Sequence, residues 1–370
     1  MEYLTRRQGE SLGTWDSSDA AEGDWTEFFT ALRWIEFSMV ILSIVGSGSI
    51  IGYTALQRLI RTLEIRPLFC LSLNDLLLAF CWLIGVLFYG ESFSARNIAC
   101  YNVQALAQVL YTSSFCYILN YTWCLYSDMR TRVHATLNGT SCQAVTEKSV
   151  RLNKILVTSS SLVPVVLMVP VFCVGNRYRC YAPYSSSCLL LHSEIFELNY
   201  TNIMDHKTAC HTAYLYSNVI FLIAFLFTLL GLVILLIKTR FFYKKLVTLT
   251  GFLGDQQWAK ITVIEQRALL YPTVFLFCWG PACILTVVKL LNPMTMNRLF
   301  IVLHILQAFT AASQGLLNSI VYGWTQRTLL RHMKHKTKTH CDADTQTPLL
   351  RFQKRLYNST ADQLKISPTV

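Results

Sequence analysis

Long uncharged runs constrain this chain more than any other feature. Residues 212–237 are 26 consecutive amino acids without a formal charge, and about 20 apolar residues are enough for a helix to cross a bilayer. Lipid offers no hydrogen-bond partners, so a crossing segment must satisfy its own backbone as a helix. Charged residues make up only 14% of the chain, against about 25% in soluble domains. These features predict an all-α integral membrane protein.

Seven apolar runs of about 20 residues or more divide the chain. They cover residues 31–56, 67–89, 100–126, 155–174, 212–237, 269–290 and 299–323. The third run is the most polar, with Asn102, Gln104, Gln108 and Asn120. Amide side chains at membrane depth need partners on neighbouring helices. We therefore predict a seven-transmembrane helix bundle over residues 31–323, with the third helix at its centre.

The distribution of basic residues predicts the orientation of the bundle. Alternate loops together with residues 324–370 carry 23 Lys and Arg, whereas the opposite side, which includes residues 1–30, carries 7. Cytoplasmic segments are enriched in Lys and Arg, so the N-terminus is expected outside and the C-terminus in the cytosol. Residues 1–30 would be an acidic extracellular tail. Residues 324–370 would be a cytosolic tail, with a short amphipathic helix over residues 325–338 followed by a disordered segment. The plasma membrane is the expected location, with internal membranes as the alternative.

Cysteines on the predicted outer side indicate disulfides, because that compartment is oxidising. These are Cys100, Cys180, Cys188 and Cys210, which allow three complete pairings. Cys100 with Cys188 and Cys100 with Cys180 are the favoured bonds, since either would tie the loop before the fifth run to the third. Asn199 begins an Asn-Tyr-Thr glycosylation acceptor in the same loop.

A carboxylate inside the second run marks a candidate site. Asp75 lies at membrane depth, where a charge is costly unless it is paired or functional. One interpretation is a cation site or a polar switch network. The other is a structural role, in which Asp75 is protonated or bonded to Asn120, Asn318 or Ser49.

The sixth and seventh runs carry further candidates. Trp279 lies two residues before Pro281, and a proline kinks a helix by removing a backbone hydrogen bond. Ligand contact at Trp279 would then move the cytoplasmic half of this helix about Pro281. In the seventh run, Asn318 and Tyr322 are four residues apart and share one helix face. The predicted ligand and switch residues are Asp75, Asn120, Trp279, Pro281, Gln314, Asn318 and Tyr322.

Glycines in two runs predict close contacts between helices. Gly48 and Gly52 lie in the first run, and Gly315 lies in the seventh. A residue without a Cβ lets two helix backbones approach each other in a membrane.

Several motifs in the C-terminal half resemble the G protein-coupled receptor superfamily, and most closely the transmembrane protein 116 family of its cyclic-AMP-receptor-like branch. They are Gly-Phe-Leu-Gly at 251–254, Gln-Trp-Ala at 257–259, Cys-Trp-Gly-Pro at 278–281, Gln-Gly-Leu-Leu-Asn at 314–318 and Asp-Ala-Asp-Thr-Gln-Thr-Pro-Leu-Leu at 342–350. The resemblance implies a receptor that transmits an extracellular ligand signal to cytosolic G proteins, with adenylate cyclase and cyclic AMP as one route.

The chain departs from rhodopsin-like receptors at the end of the third run. Where those receptors carry an acidic residue followed by Arg and Tyr, this chain has Cys124, Leu125 and Tyr126. Coupling by a different route is therefore the expectation. The residues predicted to face the G protein are Tyr126, Arg130, Arg132, Lys244 and Lys245.

Two other classes of function stay open. One is a seven-helix scaffold that does not couple. The other is an ion- or lipid-conducting protein in which Asp75, Gln104, Gln108 and Asn120 line a hydrated path. Catalysis is not expected, because His304 alone among the histidines lies well inside a run. We expect no cofactor, no metal and no nucleic acid partner; the expected partners are an unidentified extracellular ligand, a heterotrimeric G protein and membrane lipid.

Overall fold

The computed structural model describes residues 16–57, 65–88, 94–138, 143–180, 204–249, 255–291 and 298–328. These residues form eight helices and contain no strand. The helices are α1 (Asp16–Leu56), α2 (Ile65–Leu87), α3 (Ser94–Asn138), α4 (Gln143–Arg177), α5 (Met204–Leu249), α6 (Asp255–Leu291) and α7 (Arg298–Ala312), followed by α8 (Gln314–Thr328).

The described helices form a multi-pass membrane protein. Five of them, α1, α2, α4, α5 and α6, are long and apolar enough to cross a bilayer, and the bent pair of α7 and α8 is a sixth candidate. Large apolar side chains cover the outside of the bundle. Val166 on α4 and Phe227 on α5 are each 67% exposed, which suits a protein surrounded by hydrocarbon.

Helix α3 lies at the centre of the bundle, as the sequence predicts. It contacts α2, α4, α5 and α6, while α1 contacts α2 and α7. The hydroxyl of Tyr101 donates to the carbonyl of Val171 over 2.8 Å, and Tyr117 is hydrogen-bonded to Ser161 over 2.5 Å. The contact residue on α4 therefore has a lower number as the residue number on α3 increases, so these two helices are antiparallel. Helix α3 is thus enclosed by neighbouring helices, which offer partners to its polar side chains.

A sharp bend of 49° separates α7 from α8. The Ser313 hydroxyl donates to the carbonyl of Thr310 over 2.7 Å, and the Gly315 N–H donates to Ser43 Oγ on α1 over 3.0 Å. Side chains that take over backbone hydrogen bonds in this way bend a helix. By contrast, α6 continues as one helix through Pro281. The sharp break thus lies in the seventh run, which contains no proline.

Glycines bring α1 and α8 into contact, but not all of those expected from the sequence. A Cβ added at Gly46 would lie 2.8 Å from the Cα of Leu316, and one at Gly315 would overlap serine side chains of α1. Nothing lies within 4 Å of a Cβ added at Gly48 or Gly52. The prediction for Gly315 is confirmed, whereas Gly48 and Gly52 do not mark a helix contact, because they point away from the neighbouring helices.

One disulfide closes the end of the bundle where α4 ends and α5 begins. It joins Cys180 to Cys210, with their Cα atoms 5.5 Å apart. The predicted bond between Cys100 and Cys180 is therefore wrong, since Cys180 is already paired with Cys210. Cys100 is also disulfide-bonded. The predicted pairing with Cys188 and the glycosylation acceptor at Asn199 both lie outside the described residues.

Candidate functional site

A buried carboxylate is the centre of a polar network between four helices. Asp75 on α2 is only 3% exposed. Its Oδ1 accepts hydrogen bonds from Ser114 Oγ (3.0 Å) and Gln314 Nε2 (2.6 Å), and its Oδ2 accepts one from Asn318 Nδ2 (2.8 Å). Asn74 Nδ2 donates to Ser114 Oγ over 2.7 Å. Both carboxylate oxygens are thus occupied by donors, and one of these donors, Asn318, is a partner named in the structural interpretation of Asp75.

Two of the three partners proposed for Asp75 lie elsewhere. The Oδ1 of Asn120 is 3.8 Å from Cys124 Sγ, and its Nδ2 has no hydrogen-bond partner among the described residues. Ser49 donates instead to the carbonyl of Gly46 over 2.6 Å. On α3, Ser114 lies at the level of Asp75, whereas Asn120 lies further along the helix. No sequence pattern indicated Ser114, because a serine in a helix is ordinarily a packing residue.

Helix α6 joins this network through its tryptophan. Trp279 is fully buried, and its Nε1 donates to Gln314 Oε1 over 2.5 Å. Just before the bend, Thr310 Oγ1 donates to the carbonyl of Cys278 over 3.2 Å. Helix α6 is therefore hydrogen-bonded to residues on both sides of the break between α7 and α8. The structure brings together four of the seven predicted switch residues, namely Asp75, Trp279, Gln314 and Asn318.

An aromatic cluster surrounds Trp279. The ring centroids of Tyr111 and Phe115 on α3 each lie 5.0 Å from that of Trp279. Phe275 packs edge-on against Phe115 at 5.1 Å and stacks on Phe225 at 5.3 Å. Close-packed rings interlock, so a displacement of one ring must displace its neighbours. The cluster comprises Trp82, Tyr111, Phe115, Phe221, Phe225, Phe275 and Trp279.

A polar pocket of about 60 Å³ adjoins the aromatic cluster. Its wall is built by α2, α3, α5, α6 and α7. The lining residues are Trp82, Gln104, Ala107, Gln108, Tyr111, Tyr214, Ser217, Asn218, Leu285, Thr286, Lys289 and Gln307. Trp82 and Tyr111 belong both to this lining and to the aromatic cluster, so pocket and cluster share a wall.

Hydrogen bonds hold one side of the pocket and leave two donors without partners. Gln108 Nε2 donates to the carbonyl of Ser217 over 2.9 Å, and the Ser217 hydroxyl bonds the Gln108 side-chain oxygen. The Nε1 of Trp82 and the Nδ2 of Asn218 are buried and have no hydrogen-bond partner among the described residues. Buried donors are almost always paired in proteins, so these two point to a ligand or solvent in the pocket.

A buried arginine joins α6 to α8 at the opposite end of the bundle. Arg267 is 8% exposed. Its Nε donates to Thr325 Oγ1 and its Nη2 to Gln326 Oε1, each over 3.1 Å, and the guanidinium lies 5.5 Å from the centroid of the Tyr322 ring. In the sequence Arg267 resembles a flanking loop charge, because it precedes the apolar run at 269–290. Tyr322 thus contacts Arg267 on α6.

The residues predicted to face a G protein lie at this same end of the bundle but differ in exposure. Those with exposed side chains are Arg130, Lys244 and Lys245. Tyr126 is buried, with its ring 5.8 Å from that of Phe242 on α5. The side chain of Arg132 lies outside the described residues. In this conformation Tyr126 is therefore part of the interior and not of a docking surface.

These features define a multi-pass helical membrane protein with a small polar pocket above a buried polar network. All of the residues that form the pocket and the network lie within 74–318. The sequence model of the transmembrane protein 116 family matches residues 29–359. The chain therefore belongs to the transmembrane protein 116 family.

Proposed function

We propose that this protein is a seven-span receptor of the G protein-coupled type. A ligand in the pocket displaces rings of the aromatic cluster, α6 shifts against α7 and α8, and the far end of the bundle opens to a heterotrimeric G protein. One observation carries the proposal. Trp279 packs against the pocket residue Tyr111 at 5.0 Å and donates to Gln314 at the break of the seventh run.

Seven crossings are supported by the packing of α3. The five apolar helices and the bent pair account for six crossings. Helix α3 is more polar, but it is enclosed by α2, α4, α5 and α6 and so has little contact with lipid. Its antiparallel arrangement with α4 fits an alternating bundle. An odd number of crossings places the two termini on opposite sides of the membrane.

The charge asymmetry and the disulfide support an outward-facing pocket. The pocket residue Gln108 is hydrogen-bonded to Ser217, on the part of α5 near Cys210. The bond between Cys180 and Cys210 persists in an oxidising compartment. The loops on the opposite side, together with the tail, carry 23 basic residues, as expected for the cytoplasmic face.

Glycosylation tests this orientation. Asn138 and Asn199 both begin acceptor sequences, on opposite sides of the proposed bundle. Asn199→Gln should remove a mobility shift on gels that an endoglycosidase also removes, whereas Asn138→Gln should leave mobility unchanged. Loss of the glycan from the Asn138 variant alone would mean that the bundle is inverted.

Switching requires two packings of the same helices that differ by a few kcal/mol, with a ligand that favours one of them. The bond between Trp279 and Gln314 and the contacts of Arg267 with Thr325 and Gln326 all join α6 to α8. All of these contacts would be lost if α6 moved away from α8. The structure thus corresponds to a closed, inactive packing in this proposal.

Conduction is less well supported than signalling. A path from the pocket toward Asp75 would have to pass the interlocked rings of Tyr111, Phe115 and Trp279. Asp75 itself is surrounded by its hydrogen-bond donors. Ion and lipid flux into liposomes that contain the purified protein would distinguish the two functions, and flux without any G protein response would favour conduction.

A panel of biosensors for every Gα family tests the proposal in cells. We expect a basal signal that increases with surface expression in at least one family. Arg267→Met should increase this signal, because it releases α6 from α8, whereas Arg240→Met on the exposed side of α5 should not. If neither the wild type nor Arg267→Met activates any Gα family at matched surface expression, the proposal is wrong.

A further inference from the structure

We propose that the pocket binds a small uncharged molecule through a carbonyl oxygen, with the indole N–H of Trp82 and the side-chain amide of Asn218 as the donors. This inference rests on the proposed function, because it takes the pocket as the sensing site of the receptor. Three properties of the pocket support it: two donors without partners, a lysine that is held within the protein, and a volume that fits only a few atoms.

Two buried donors in the lining lack partners. The side chain of Trp82 on α2 is 3% exposed, and neither its Nε1 nor the Nδ2 of Asn218 on α5 has a hydrogen-bond partner among the described residues. The neighbouring Gln108 is bonded to Ser217 through both its side-chain nitrogen and its side-chain oxygen. Buried donors cost stability unless an acceptor faces them. A molecule in the pocket that supplies an acceptor oxygen therefore completes the site.

The charges in the lining favour an uncharged ligand. The described lining residues include no Asp or Glu that could pair with a cation. The ammonium group of Lys289 already interacts within the protein, where it lies 5.7 Å from the centroid of the Phe300 ring on α7. An anion would therefore lose its hydration without an unmatched cation to replace it, which is costly. An uncharged carbonyl group accepts hydrogen bonds without that cost.

The volume of the pocket limits the ligand to a few atoms. One water molecule needs about 10–15 Å³ of such a cavity, and the pocket has about 60 Å³. That space suits roughly four to six non-hydrogen atoms. Ala107 and Leu285 contribute apolar surface to the wall, against which a short alkyl group packs better than water does. A carbonyl group with a short alkyl chain meets both requirements.

The position of Trp82 connects the ligand to the aromatic cluster. The centroid of its ring lies 6.4 Å from that of Trp279, and the lining residue Tyr111 lies 5.0 Å from the same ring. A ligand that accepts from the Trp82 indole holds that ring in one orientation among closely packed neighbours. Trp82 is thus both a donor to the ligand and a contact of the tryptophan that bonds Gln314.

Nuclear magnetic resonance of the full-length protein in lipid nanodiscs, isotope-labelled at the tryptophan indole nitrogens, tests the inference. The chain has eight tryptophans, each with one indole N–H, and Trp82→Phe identifies the Trp82 resonance by its loss. Propionamide is titrated into the millimolar range that so small a ligand requires. We expect the Trp82 resonance to move in a saturable manner. The resonance of Trp34, which is 63% exposed on α1, should not, which controls for propionamide dissolved in lipid.

Charged analogues of the same size test the preference for an uncharged ligand. Propionate and the propionamidinium ion share the planar shape of propionamide and its number of non-hydrogen atoms, but carry a negative and a positive charge. At constant ionic strength, we expect neither ion to move the Trp82 resonance at concentrations at which propionamide saturates the site. A lower half-saturation concentration for propionate than for propionamide would assign the pocket to anions.

Matched variants separate a ligand donor from a structural residue. Asn218→Leu keeps a similar volume without the donor, and should raise the half-saturation concentration of propionamide by about three- to tenfold, the effect of one hydrogen bond. Without ligand, this variant should unfold at the wild-type temperature or above, because the donor that it removes has no partner among the described residues. Asn176→Leu removes an exposed amide from α4 and should leave propionamide binding unchanged.

Three results would overturn the inference: no saturable movement of the Trp82 resonance in the folded wild type, an unchanged half-saturation concentration in Asn218→Leu, or tighter binding of propionate than of propionamide. The first would mean that the pocket holds only water. Failure of the proposed function is distinguishable from these results. If propionamide binds but no Gα biosensor responds, the site stands without the receptor function; if a biosensor responds but propionamide does not bind, the function stands without this class of ligand.

Discussion

Trp279 and Gln314 are joined by a hydrogen bond of 2.5 Å from the indole Nε1 to the side-chain Oε1. The same Gln314 donates through Nε2 to Asp75 over 2.6 Å. One amide therefore connects α6, α8 and α2, at the residue that follows the bend of the seventh run. All three side chains are buried, so water cannot readily replace either bond.

Replacement of this amide tests how strongly it joins the helices. Gln314→Leu keeps a similar volume but leaves Trp279 Nε1 without its acceptor and Asp75 with two donors instead of three. We expect the protein to lose about 1–2 kcal/mol of stability, the range for buried hydrogen bonds within membranes. Thermal unfolding in detergent measures the loss. Gln57→Leu, at an exposed position after α1, is the matched control, and equal effects of the two changes would contradict the prediction.

Exchange of donor and acceptor tests the geometry around Asp75. Asp75→Asn presents an NH₂ group to a site whose three contacts are all donors, so we expect a loss of about 1–2 kcal/mol. In the double variant Asp75→Asn with Asn318→Asp, the new amide donates to the new carboxylate. Unfolding temperatures should show partial recovery in the double variant. Losses that simply add would mean that these two side chains do not interact.

Two glycines of α1 provide a matched pair. A Cβ at Gly46 would lie 2.8 Å from Leu316 Cα and 2.9 Å from the carbonyl oxygen of Gly315, both backbone atoms, whereas a Cβ at Gly48 meets nothing within 4 Å. Gly46→Ala should cost about 1–3 kcal/mol, because α1 and α8 must separate. Gly48→Ala should be neutral or stabilise by up to about 1 kcal/mol through helix propensity. Thermal unfolding measures both effects: Gly46→Ala should unfold at a lower temperature than Gly48→Ala, and the reverse order would contradict the prediction.

A double-mutant cycle measures the contact between Arg267 and Thr325. The guanidinium Nε donates to Thr325 Oγ1 over 3.1 Å, so Arg267→Met and Thr325→Val should be coupled by about 1 kcal/mol. The Thr328 hydroxyl donates instead to the carbonyl of Trp324 on its own helix, in an exposed hydrogen bond. The cycle of Arg267→Met with Thr328→Val should therefore show coupling near zero. Equal coupling energies in both cycles would mean that the effect of Arg267→Met does not come from the loss of its contact with Thr325.

Part of the site was predictable from residue type alone. Asp75, Gln314 and Asn318 are conspicuous because carboxylates and amides at membrane depth need partners, and Trp279 because it lies two residues before Pro281. The structure places all four in one network. The partners themselves were less predictable. Asn120 was an expected partner of Asp75, but Ser114 holds that place, because the level of each helix relative to its neighbours is set by the packing of the whole bundle.

By itself, the sequence determined that the chain consists of long apolar helices, since lipid leaves the backbone no other way to satisfy its hydrogen bonds. It also determined that the polar third helix must be enclosed by the others. Only the tertiary structure decided where the seventh run bends, that Arg267 joins α6 to α8, and that five helices enclose a pocket beside Lys289. Those features depend on the rotation and relative depth of each helix, and each residue turns a helix by about 100°, so no single run contains that information.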